Sequence, residues 1–143
     1  MKINQISVFV ENRKGRLYEV CNLLGKNKIN IRALNIAETK DFGVLRMVVD
    51  KPQDALDLLK SKGFVANFSE IVAVEVTDKP GGLAHVLKLL NEKNINIEYM
   101  YAFLEKNASK AILIFRFEKI DKALMVLKKH KVKIVRNAQI VKL

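Results

Sequence analysis

Apolar and polar positions alternate from the first residues of the chain: Ile3, Ile6, Val8 and Val10 mark a short strand ending at Glu11-Asn12. The period then changes. Leu17, Val20, Cys21 and Leu24 stand at i, i+3, i+4 and i+7, one apolar face of a helix that Gly25 and Asn27 loosen at its end. A strand is predicted from about Ile31 to Glu38, a hairpin turn at the polar Thr39-Lys40-Asp41 with Gly43, and a return strand in VLRMVVD. Pro52 suits a first helical turn, and Ala55, Leu56 and Leu59 carry a second helix that stops at Gly63. Phe64 to Ser69 reads as a fourth strand.

The same order then starts again. GRLYEVCNLLGKNKINIRALNI, from Gly15, and GGLAHVLKLLNEKNINIEYMYA, from Gly81, agree at 8 of 22 positions without a gap, 66 residues apart. A period of this length means one structural unit used twice. The second copy has a strand at Ile71–Val76, a helix with Leu83, Val86, Leu87 and Leu90, a strand at Ile97–Leu104 and a turn at Lys106–Ser109. A strand at Ala111–Phe117, a helix with Ile120, Ala123, Leu124 and Leu127, and a last strand from Val132 complete it. Each unit is β-α-β-β-α-β, a ferredoxin-like arrangement of the α+β class. Right-handed crossovers put both helices on one face of an antiparallel four-stranded sheet. The expected boundaries are residues 1–70 and 71–143, with no Pro/Gly-rich linker between them.

Ile97, Tyr99, Tyr101 and Phe103 alternate onto one side of their strand and Met100, Ala102 and Leu104 onto the other, so neither side is polar. Such a strand is covered on both faces, by the sister unit or by a second chain. Units of this size bury only about 60% of their unfolded surface, which also argues for a partner, and a homodimer is expected.

Charge adds a constraint. The net charge is +11, with 12 Lys and Arg against 8 Asp and Glu in residues 1–72 and 14 against 7 in residues 73–143. Anionic partners are attracted by such a field, but the lysines are spread over helix flanks and loops, as Lys119, Lys128, Lys131 and Lys133 are, so nucleic acid is disfavoured. The single cysteine, Cys21, excludes an internal disulfide and a cysteine-built metal site. Asn4, Gln5 and Ser7 interrupt what a signal peptide would need, and no apolar run reaches the ~20 residues of a membrane span. A cytoplasmic protein without a membrane partner is expected.

Candidate chemistry lies between the first strand and first helix of each unit, in ENRKGRL and TDKPGGL. Asn12 and Asp78 are placed identically, three residues before Gly15 and Gly81. The first N–H groups of a helix lack internal partners and, with the helix dipole, suit a carboxylate. Asn12 or Asp78 can accept from an adjacent ammonium group, and the pair of charges describes a free amino acid. The alternative is plain helix capping, since Asn and Asp are common N-caps. Asn30 and Asn96 recur with them, 18 residues further on in each unit.

The pattern (N/D)-x-x-G-x-L, an apolar-faced helix and then INI resembles the ACT domain over essentially the whole chain, as two modules. NIEYMYAF, TKDFG and the terminal AQIVKL are similar to free-standing tandem ACT proteins without a catalytic domain. The resemblance implies an amino-acid-binding regulatory protein that controls an enzyme and uses no cofactor. It implies that Asn12 and Asp78 hold the amino group, and that the amides around Gly15, Arg16 and Leu17, and around Gly81, Gly82 and Leu83, hold the carboxylate. Asn30 with Ile31, and Asn96 with Ile97, would complete the sites at the start of strand two, the ligand lying between units. Arg16 would either clamp a carboxylate or block the first site.

An enzyme is disfavoured. His85 aligns with Glu19 on the solvent side of a helix, His130 lies in a lysine-rich helix end, and no phosphate loop or paired acids stand out. The remaining alternatives are a structural dimerisation subunit without its own ligand and an RNA-recognition module of the same element order. That module needs aromatics on its first and third strands; Phe115 and Phe117 qualify on one strand only.

Overall fold

The computed structural model describes residues 1–38, 40–103 and 109–141. Thr39 of the first hairpin turn, the strand end at Leu104, residues 106–108 of the second turn and the last two residues of AQIVKL lie outside them. The chain divides into two compact units, Asn4–Ser69 and Glu70–Leu143 with Met1–Ile3.

In the N-terminal unit the elements are β1 (Ile3–Glu11), α1 (Arg16–Lys26), β2 (Ile31–Glu38), β3 (Phe42–Val49), α2 (Pro52–Ser61) and the beginning of β4 (Val65–Thr77). The strands lie in the order β2-β3-β1-β4, with β3 antiparallel to both neighbours. The C-terminal unit takes the rest of β4, α3 (Gly82–Glu92), β5 (Ile97–Ala102), β6 (Lys110–Phe117), α4 (Ile120–Lys129), β7 (Ile134–Val135) and α5 (Asn137–Val141). Its order is β5-β6-β4, with β7 on the other side of β4, all antiparallel. Both are the α+β, ferredoxin-like units the periodicity predicts.

Three local expectations change. The strands expected at Phe64–Ser69 and Ile71–Val76 are one uninterrupted element of 13 residues, because nothing in Ser69-Glu70 breaks an extended backbone. Helix α1 runs through Gly25 to Lys26, where Asn27 Nδ2 donates to the Leu23 carbonyl at 2.8 Å. The last strand is only two residues long, and the chain returns to helix at Asn137.

Each core lies between helices and sheet. In the first, Val20 and Leu24 of α1 and Ala55, Leu56 and Leu59 of α2 meet Ile6, Val8, Val10, Leu45 and Met47 from the strands. In the second, Val86, Leu90, Ala123 and Leu127 meet Val72, Val74, Phe115 and Phe117. Leu17, expected on the same face as Val20, is exposed. The rings of Phe115 and Phe117 stack with centroids 5.5 Å apart and are sealed in the core, so neither can receive a base.

The alternation expected in β5 fails at its first residue. Ile97 pairs with Phe117 and Tyr99 with Arg116, so Glu98 is an extra residue, a β-bulge. Ile97 therefore joins Met100 against the helix-side core instead of Tyr99 and Tyr101. An equivalent irregularity falls between Ile31 and Ala33. On the sheet face away from the helices the units differ. Ile71, Ala73, Tyr101, Ile112 and Ile114 are buried in the C-terminal unit, whereas Phe9, Phe42 and Val65 are exposed in the N-terminal one.

Candidate ligand clefts at the strand-to-helix corners

Both corners turn in the same way. Gly15 (φ 91°) and Gly81 (φ 87°) precede their helices in the left-handed conformation that glycine adopts without strain. They are the N-cap residues, and no side chain caps either helix. Asn12 and Asp78 thus lie three residues before the cap and are not helix caps. The first helical bonds run from the Glu19 N–H to the Gly15 carbonyl and from the His85 N–H to the Gly81 carbonyl, both 3.0 Å. The amides of Leu17 and Tyr18, and of Leu83 and Ala84, open their helices with no acceptor inside them.

At the N-terminal corner a cleft of about 260 Å³ opens toward the β2–β3 hairpin. Asn12 and Leu17 line it, with Val10 and Ile36 as an apolar floor and Glu11, Arg13 and Glu38 on its wall, Arg13 pairing with Glu11 at 3.0 Å. The backbone of Asn12 donates to the Asp41 carbonyl at 3.0 Å and its Nδ2 to the Lys40 carbonyl at 3.1 Å. That second bond fixes the amide and leaves Oδ1 as an acceptor. Val10, Glu11, Ile36 and Glu38 were not singled out by sequence; the signal was their register, since Val10 pairs with Gly43 and Ile36 with Leu45.

Arg16 points elsewhere. Its guanidinium lies 4.8 Å from the centre of the Phe64 ring, 2.6 Å from a Glu19 oxygen and 3.9 Å from Glu11. It lines a separate groove with Phe64, Glu19 and Lys62, so it neither reaches into the Asn12 cleft nor blocks it.

In the C-terminal unit the open cleft is on the other side of the corner, about 600 Å³ between the start of α3 and the segment after α4. Pro80, Gly81 and Gly82 line it, as do His85 and His130. Among the described residues, lysines 79, 110, 131 and 133 surround it against one carboxylate, Glu75. Lys133 Nζ lies 3.1 Å from Glu75, and Lys110 Nζ donates to the Thr77 hydroxyl at 3.3 Å. A Cβ at Gly82 would stand 1.9 Å from the Thr77 carbonyl oxygen, so the backbone there admits only glycine. Asp78 is exposed, its amide donating to the Ser109 carbonyl at 2.8 Å, and it does not line this cleft.

The other expected residues sit at the far end of each unit. The Asn30 amide donates to Asp50 at 2.9 Å and Asn96 Nδ2 to Glu118 at 3.4 Å. Both lie at the start of the second strand, whereas the corners lie beside the hairpin at its finish. An eight-residue strand such as β2 spans roughly 25 Å, so Asn12 and Asn30 of one unit cannot share a ligand. Ile31, Leu83 and Ile97 are half-buried and pack on the cores.

The lysines of the larger cleft were missed because the repeat slips. Val10 and Val76 match at 66 residues, but their partners Gly43 and Ala111 are 68 apart. Two residues enter between β5 and β6, and beyond them the match is lost unless the offset is changed. With it, Lys110 and Lys133 correspond to Phe42 and Val65, and Val132 to Phe64.

Comparison with known proteins follows the same outline. The model of the ACT domain pair matches residues 1–143. A protein of Bacteroides thetaiotaomicron of solved structure is 40% identical, with a TM-score of 0.94 over 100% of this chain and 98% of that one. The regulatory subunit of aspartate kinase from Thermus thermophilus is 18% identical, with a TM-score of 0.64 over 90% of this chain and 93% of that one, a likeness of fold. No curated protein matches the chain.

Proposed function

The chain belongs to the ACT-domain-pair family, and from that premise we propose that it is a regulatory protein that binds a free amino acid at the Asn12 corner. The observation that carries this reading is the composition of the smaller cleft. An amide acceptor on Asn12, the carboxylate of Glu38 and the Glu11–Arg13 ion pair surround an apolar floor of Val10, Leu17 and Ile36 at the start of α1. The ligand carboxylate meets the Leu17 and Tyr18 amides at the positive end of the helix. Its ammonium group meets Asn12 Oδ1, with Glu38 supplying opposite charge. At about 260 Å³ the cleft is below the usual range for drug-sized ligands, which favours a small apolar side chain. The corresponding corner of the C-terminal unit, with Asp78, is the second position for such a ligand.

The ligand regulates by favouring one of two arrangements of the chain, which an enzyme of amino-acid metabolism or a second copy of the chain then recognises. A thermal-shift screen over the free amino acids tests the reading. At 100 times its dissociation constant a ligand adds about 2.7 kcal/mol, several degrees in a protein of this size. Asn12→Ala should abolish that shift and leave the unliganded melting temperature nearly unchanged. If no amino acid raises the melting temperature, the proposal fails.

A further inference from the structure

We infer that the larger cleft of the C-terminal unit is a separate site for a small metabolite bearing at least two negative charges, a phosphate ester or a dicarboxylate. The cleft lies within one unit and has room for such a molecule at about 600 Å³. Among the described residues four lysines converge on it against the single carboxylate of Glu75, which Lys133 already neutralises. A concave wall carrying one sign of charge concentrates the opposite ion, and the net excess of cations calls for more than the one carboxylate of a neutral amino acid.

The N-terminal unit provides an internal control. At the counterpart of this cleft Arg16 replaces Gly82, Glu11 replaces Thr77 and Glu19 replaces His85. There the unit supplies its own cation, held by those two carboxylates and by the Phe64 ring. Phe9, Phe42 and Val65 stand where Glu75, Lys110 and Lys133 stand in the C-terminal unit. One copy keeps a smaller groove of about 310 Å³ in which its own arginine is already paired; the other opens a larger cleft toward four lysines.

Lys79 and Lys131 are exposed on the rim, so their removal spares the core. Lys131 also holds φ 57°, and its counterpart is Gly63, so Lys131→Gly suits the backbone. The test is titration calorimetry of the full chain with pyrophosphate, succinate and alanine. Pyrophosphate or succinate should bind at one site per chain, more weakly as salt is added, and the tighter of the two identifies the class. The Lys79→Ala/Lys131→Gly double variant should weaken that binding at least tenfold with an unchanged melting temperature. The response to alanine, or to any amino acid found in the screen, should be unaffected, which separates this site from the Asn12 corner. No binding of either dianion, or binding that the double variant leaves intact, overturns the inference. So does a single-stranded RNA that binds far more tightly and is lost in the same variant, because the cleft then belongs to a nucleic-acid surface.

Discussion

The two units share a backbone and differ in what they do with one corner. In each, a glycine at positive φ starts the first helix and two apolar residues, Val20 and Leu24 or Val86 and Leu90, hold that helix to the sheet. Around this constant frame the side chains exchange character. Arg16 folds onto Phe64 in one unit, whereas Gly82 opens onto a lysine-lined cleft in the other. The sheet face away from the helices shows the reverse contrast, with Phe9 and Phe42 against the ion pair of Glu75 and Lys133. A duplicated fold preserves its packing because each core position is fixed by many neighbours. Surface corners carry no such constraint and are free to diverge into different sites.

The strongest way to break this comparison is at the positions said to be equivalent. Leu24 and Leu90 are 0% and 1% exposed and occupy matching places in the repeat. Leu24→Ala and Leu90→Ala should each cost about 2–5 kcal/mol, and by similar amounts, as read from the midpoint of chemical denaturation. If one variant costs only a fraction of what the other does, the two cores are not the same structure and the argument from duplication weakens.

How much of this the sequence discloses follows from where the constraints are local. Element order was legible because strand and helix periods are carried by residues close in the chain: Leu17 to Leu24, or Ala123 to Leu127. The corners were legible because Gly15 and Gly81 recur with Asn12 and Asp78. The bulge at Glu98 was not, since nothing in Ile97-Glu98-Tyr99 marks it and it exists only in register against β6. Nor was the cationic cleft, whose walls come from three segments, Glu75 to Val86, Lys110 and His130 to Lys133, two of them displaced by the two-residue slip. Lys131 and Lys133 look like ordinary solvated charges until the fold brings them to Lys79.

A smaller effect sharpens the contrast at the corner itself. Arg16→Ala removes an i,i+3 ion pair and the contact with the Phe64 ring. Together these contribute about 1 kcal/mol, measurable as a shift of roughly 0.3–1 M in the urea midpoint. Opening this groove should not create a dianion site, because Phe42 and Val65 offer no charge where the other unit has Lys110 and Lys133. Pyrophosphate binding by the variant should match that of the parent in stoichiometry. A second equivalent of pyrophosphate would show that space alone, and not the lysines, makes the site.

The smallest expected effect concerns Cys21, which stands where the C-terminal unit has Leu87. Partial burial against α1's core face raises the thiol above its ordinary value of 9.0, because burial disfavours the thiolate. The sign of the consequence follows from linkage. Below pH 9.0 the thiol is protonated both folded and unfolded, and the folded state keeps its full advantage. As pH rises through 9.0 and then through the higher folded value, the unfolded chain releases the proton first, and that advantage is lost. Cys21→Ala removes this one contribution while the lysine titrations remain. The difference in denaturation midpoint between parent and variant should therefore be constant at neutral pH and move in the variant's favour above pH 9.0. Alkylation of the folded parent at neutral pH should likewise be slower than that of a free cysteine. A difference independent of pH would mean that Cys21 meets water as freely as an unfolded thiol, and that α1 packs less closely in this unit than α3 does in the other.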